Sequence, residues 1–152
     1  MARVNEKLLY CEHLNQLIDF QCKNNPGGLA YQFIESDSSI ISLTNKDLLN
    51  EVNKLANLLI ERVKPQERII LAVRPGLEYI IGFFACLRVG AVAVPLFPPA
   101  NTMLASRCIQ VIIDSKPSLM LCDKKTISAM NKGMVTNRFL PKVFKKKLGL
   151  TE

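Results

Sequence analysis

From Thr44 to Cys122 the chain alternates between helix-periodic and strand-like segments, with only a few residues between one and the next. Few folds accept that pattern. Thr44 can cap a helix, with Asp47 three residues on as a weaker form of the usual Glu in a capping box. Leu48, Val52, Leu55 and Leu59 then follow at steps of four, three and four, one stripe facing a core. Lys64-Pro65 stops that helix. Residues 68–73 form a short β-branched run between breakers, the pattern of a strand buried on both faces. Arg74-Pro75-Gly76 turns the chain into residues 77–89, apolar nearly all round, which predicts a helix packed inside a domain and ended by Gly90. A strand at 92–94, a proline-rich loop at 95–99, an amphipathic helix at 103–115 and a strand at 119–122 complete the series. Alternation at this spacing predicts right-handed crossovers and a parallel sheet, hence an α/β body.

Upstream, Cys11, Leu14, Ile18 and Cys22 recur at helical spacing and predict an amphipathic helix over residues 7–23. Asn24-Asn25-Pro26-Gly27-Gly28 is turn chemistry, and residues 29–34 and 40–43 predict a hairpin around a polar turn. About half of the 152 residues are apolar, enough to bury one core. No basic start followed by a clean apolar run marks a signal peptide. Arg74, Pro75, Glu78 and Arg88 interrupt the most apolar stretch, so a membrane-spanning helix is not expected and a cytoplasmic protein is.

The five cysteines are odd in number and scattered, without a Cys-x-x-Cys pair, and are expected to be structural. The single histidine, His13, has no partners at ligand spacing, so no metal site is expected. Charge divides the chain. Residues 1–115 carry eleven Lys/Arg against eleven Asp/Glu, whereas residues 116–152 carry nine against Asp123 and Glu152, the source of the whole +7. Two regions follow, a body over 1–125 and a basic tail of uncertain structure over 126–152. Within the tail, Arg138, Lys142, Lys145, Lys146 and Lys147 lie around Leu140, Val143, Phe144 and Leu148. A basic amphipathic helix resting weakly on an anionic membrane surface is one reading. A family helix or linker cut short and a frameshifted end are the others. Nucleic acid is not an expected partner.

The order of these blocks resembles a known family. "LTNKDLLNEVNKLANLLIERVKPQERIIL" is similar to the opening shared by adenylate-forming (AMP-binding) enzymes: acyl-CoA synthetases, peptide-synthetase adenylation domains and fatty acyl-AMP ligases. "RPGLEYIIGFFACLRVGAVAVPLFPPA" looks like the next block, and its Gly-Leu-Glu and double proline are closer to fatty acyl-AMP ligases than to the other branches. "SRCIQVIIDSKPSLMLC" matches the helix, turn and strand that follow. The likeness covers roughly residues 42–122, with 7–34 weakly compatible, and fades beyond Lys125. It implies the start of a large N-terminal domain, a partial parallel-sheet layer with flanking helices.

The family joins a carboxylate to ATP, giving an acyl-adenylate and pyrophosphate. ATP and Mg²⁺ are thus the implied cofactors of the full-length enzyme, and a fatty acid and an acyl carrier protein its implied partners. That chemistry calls for a Ser/Thr/Gly-rich phosphate loop, a Mg²⁺ site, an acid on the ribose and a lysine from a C-terminal domain. None of these motifs is present, so no catalytic residue can be carried over and a truncated ligase, inactive alone, is the expectation. A fragment of an acyl-CoA synthetase or of a peptide-synthetase adenylation domain, and a non-catalytic interaction module with a basic membrane-surface tail, are the alternatives. Ligands of open α/β sheets sit beyond the carboxyl ends of the strands, which singles out the loops at 74–76 and 96–101. Arg74 is the candidate there to meet a phosphate or carboxylate, against the plainer reading of a solvated arginine at a strand end.

Overall fold

The computed structural model describes residues 11–35, 38–97, 102–123, 126 and 143–144, with the backbone alone at 102–106 and 143–144. The first helix, α1 (Leu14–Asn24), starts later than its periodicity predicts. Residues 11–13 are not helical; His13 is extended, and its Nδ1 accepts a hydrogen bond from the Gln16 amide at 3.3 Å. The lone histidine is thus a helix cap. The part of the predicted helix before residue 11 lies outside the described residues.

β1 (Leu29–Ile34) and β2 (Ile40–Thr44) form the expected antiparallel hairpin, with Ile34 opposite Ile40 and Phe33 opposite Ile41. Thr44 closes β2 and opens α2 (Asn45–Leu59). Its hydroxyl accepts from the Asp47 amide at 3.1 Å and donates to the Asp47 carboxylate at 2.6 Å, and its own amide donates to that carboxylate. The capping box is complete, with Asp in the place of Glu.

β3 (Arg68–Ala72), α3 (Leu77–Arg88), β4 (Val92–Pro95), α4 (Thr102–Ser115) and β5 (Leu119–Cys122) follow where the sequence predicts them. The strands pair in parallel in the order β4-β3-β5, and β6 (Val143–Phe144) extends the sheet beside β5. At Val143 and Phe144, then, the chain is extended, which corrects the amphipathic-helix reading there. A β-branched and an aromatic residue suit a strand, and Met120 and Leu121 offer the open edge they pair with. Apart from these two residues and Thr126, the tail lies outside the described residues.

Side-chain alternation divides the core. Ile69, Leu71, Leu119 and Leu121 point to one face, where they join Leu59, Ile81, Ala85 and Cys86 of α2 and α3. Ile70, Ala72, Met120 and Cys122 point to the other, with Leu96 and with Cys108 and Ile112 of α4. Gly90 has φ +72°, the left-handed conformation its place after α3 requires. All five cysteines are free thiols. Burial pushes the Cys86 thiol up to about 12 and the Cys122 thiol up to about 11, as expected of structural cysteines. Among the described residues, no helix is long and apolar enough to cross a membrane.

Candidate functional site

The chain moves from β3 to β4 in one direction across the sheet and from β5 to β6 in the other. The boundary between β3 and β5 is therefore a topological switch point, and its carboxyl-terminal edge is where open α/β sheets place ligands. Ala72 pairs with Cys122 in the last register position, so Arg74 and Asp123 leave the sheet side by side. Arg74 Nε donates to Asp123 Oδ2 at 2.8 Å, and the Thr126 amide donates to Asp123 Oδ1 at 2.6 Å. Thr126 is buried.

These contacts open into a cavity of about 690 Å³ lined by the end of β1, Ile41 of β2, the turn after β3, the first turn of α3 and Asp123. Phe33, Ile34, Ile41, Val73 and Leu77 make its apolar wall. Glu35, Arg74, Glu78 and Asp123 are its charged groups. Burial pushes the Asp123 carboxyl up, but the hydrogen bonds from Arg74 and Thr126 outweigh this and hold it below the usual carboxylate range. Hydrogen bonding to Asp123, helped by its charge, raises Arg74 further, so the guanidinium stays protonated. Glu78 behaves differently. Half-buried in the first turn of α3, its carboxyl is pushed above the usual range, by burial first and then by the charge of Asp123, which the nearby charge of Arg74 offsets only in part. The Ser39 hydroxyl donates to Glu35 at 3.1 Å, whereas the Glu78 carboxylate accepts no hydrogen bond among the described residues.

A smaller, almost wholly apolar cavity of about 260 Å³ lies beside the first, lined by Val73, Pro75, Tyr79, Pro95, Leu96 and Phe97. The two share Val73 and Pro75.

The structure thus brings the sequence candidate Arg74 to the strand-end site, with its charge already met by Asp123. Sequence reasoning missed Asp123 and Glu78. A signal for Asp123 existed: it directly follows an apolar strand run, as Val73-Arg74 follows another, and the same carboxyl-end rule applies to both. ATP and Mg²⁺ do not fit the cavity. Among the described lining residues the one cation is paired and the remaining charges are carboxylates, and no group of three or more His, Cys, Asp or Glu among the described residues could hold a metal. Nor do the lining residues contain a nucleophile paired with a base.

A family profile described as "AMP-binding enzyme" matches residues 18–146. The chain belongs to that family. The matched span extends past both ends of the motif-level likeness and includes part of the basic tail, which corrects the reading that the likeness fades beyond Lys125. Over 114 residues the chain is 30% identical to the medium-chain-fatty-acid–[acyl-carrier-protein] ligase JamA of Moorena producens, covering 72% of this chain and 19% of that protein. Disco-interacting protein 2 of Drosophila melanogaster is 27% identical over 146 residues, 88% of this chain and 8% of the relative. Among solved structures, the fatty acyl-adenylate ligase of Legionella pneumophila in complex with acyl adenylate and pyrophosphate superposes with a TM-score of 0.82. It is 26% identical, and the likeness covers 93% of this chain and 24% of the other. This AMP-binding chain spans a quarter or less of the length of each of these proteins. Within the family, its likeness to fatty acyl-AMP ligases is the one the motifs imply.

Proposed function

We propose that this chain forms the opening part of the large domain of a fatty acyl-AMP ligase-like enzyme and catalyses no adenylation by itself. The observation that carries the reading is the likeness to the Legionella ligase over 93% of the chain but only 24% of that protein, a span whose residues hold no phosphate-loop motif. The strand-end cavity supports it from the other side, because the free charge of its described lining residues has the wrong sign for a triphosphate or a fatty carboxylate. On this reading ATP, Mg²⁺, the fatty acid and the acyl carrier protein are ligands of a whole cytoplasmic enzyme. This chain contributes the first parallel strands of its sheet and the loops at their carboxyl ends. ATP–pyrophosphate exchange by the purified chain, with Mg²⁺ and a panel of fatty acids, tests it. No exchange above the protein-free background is expected, and robust exchange would overturn the proposal.

The match over 88% of the chain to Disco-interacting protein 2, a relative named for an interaction, favours a second reading, an interaction module. Salt-sensitive binding to anionic vesicles that disappears when residues 138–148 are deleted would support it. Binding unchanged by that deletion would remove the basic tail from the argument.

A further inference from the structure

We propose that the cavity between the β3 and β5 exits is a receptor for a basic side chain of a polypeptide, an ammonium or guanidinium on an apolar stem, with Glu78 as its anionic partner. The charged groups of the cavity are almost all accounted for. Arg74 is taken by Asp123, Asp123 also by the Thr126 amide, and Glu35 is engaged by Ser39. Glu78 alone is half-buried with no hydrogen-bond donor among the described residues. A carboxylate withdrawn from water without a donor is destabilised, and a cation with N–H groups removes that cost while adding Coulomb attraction.

The rest of the cavity selects the remainder of the ligand. Phe33, Ile34, Ile41 and Leu77 offer an apolar wall for a methylene stem, the arrangement by which lysine and arginine bury their stems and present their heads. At about 690 Å³ the cavity is large for a small free amine and has room for a side chain with its flanking backbone. An acidic ligand is disfavoured, because the one guanidinium of the described lining already holds Asp123 at 2.8 Å and the other two charged groups there, Glu35 and Glu78, are carboxylates. This inference goes beyond the ligase reading and stands whether or not that reading holds.

The test is a titration of the isolated chain, followed by NMR at Phe33, Gly76 and Glu78, with three capped pentapeptides. Each has four alanines, with lysine, norleucine or glutamate at the centre. The lysine peptide should bind about fivefold or more tightly than the other two, and Glu78→Gln should remove that preference. Arg74→Gln, which deletes the competing cation, should tighten lysine binding about twofold, a gain that misfolding does not produce. Because the charged form of Glu78 is the binding form, lysine affinity should fall as pH drops through its raised pKa. The charges of Arg74, Asp123 and Glu35 face the same space, so the Glu78→Gln comparison is what isolates this limb. Equal or tighter binding of the glutamate peptide, or unchanged lysine binding in a folded Glu78→Gln variant, would overturn the proposal. Butylamine binding as tightly as the lysine peptide would overturn its assignment to a polypeptide.

Discussion

The two faces of the central sheet are built from different materials. On one, Ile69, Leu71, Leu119 and Leu121 meet α2 and α3, and Leu59, Val52 and Ala85 there are entirely shielded from solvent. On the other, Ile70, Ala72, Met120 and Cys122 meet Leu96, Cys108 and Ile112. The first face is dominated by branched aliphatics from two helices whose ends are fixed by a capping box and a left-handed glycine. Among the described residues, the second relies more on sulfur and small side chains. The first is therefore expected to carry most of the stability. Leu59→Ala should cost about 4 kcal/mol, and Ile112→Ala, in the smaller cluster, about 2 kcal/mol, within the range of such truncations. Urea melts of the two variants check this. Equal losses would erase the distinction between the faces.

A smaller effect is expected at Gly90, at the foot of the first face. Ala there must adopt φ +72°, and its Cβ would meet Pro65 Cβ at 3.4 Å. Left-handed backbone costs an L-residue roughly 1–2 kcal/mol, so Gly90→Ala should lower stability by that amount and Gly90→Asn by less. A Gly90→Asn variant as unstable as Gly90→Ala would point to crowding against Pro65 instead of backbone conformation.

The same contrast explains what could be read from sequence. The helices and strands of the first face announce themselves locally, through Thr44 with Asp47, through the stripe from Leu48 to Leu59, and through Gly90. The parallel pairing followed from alternation, and the three central strands are where the sequence places them. What escaped was one local cap and two non-local pairings. That His13 caps α1, delaying its start, depends on one ring nitrogen reaching the Gln16 amide. That Val143 and Phe144 form a strand depends on the open edge of β5, a partner lying more than 20 residues earlier in the chain. The site was half legible. The carboxyl-end rule found Arg74, but its neutralisation by Asp123 across 49 residues is set by the β3–β5 register, which no local pattern states. Glu78 was visible as part of a family block. That its carboxylate lacks a donor among the described residues became apparent only once those neighbours were in place.

Helix capping sharpens the comparison on the first face. Thr44→Ala removes the acceptor for the Asp47 amide and should cost about 1 kcal/mol. Asp47→Asn should cost less. The double variant should cost less than the two separate losses together, because each residue bonds the other. Additive losses in denaturant midpoints would mean that the two act as independent caps.

The smallest effect lies where the faces meet. The Asp123 carboxyl is held below its unfolded value, 3.8, so the pair with Arg74 stabilises the fold above that pH. The stabilisation is lost as pH falls through the depressed folded pKa. Because the Arg74 side chain is 54% exposed, solvent screening limits the contribution to about 1 kcal/mol or less at neutral pH. Asp123→Asn keeps an oxygen to accept from Thr126, and so removes the charge while leaving the turn its acceptor. Asp47 and Glu67 are also held low and add acid sensitivity of their own, so the informative quantity is the difference between wild type and variant. That difference should be positive at neutral pH and shrink toward zero as pH falls through the depressed folded pKa of Asp123. A gap that persists in acid would mean that Asp123 acts there through its shape and hydrogen bonds, with no net contribution from its charge.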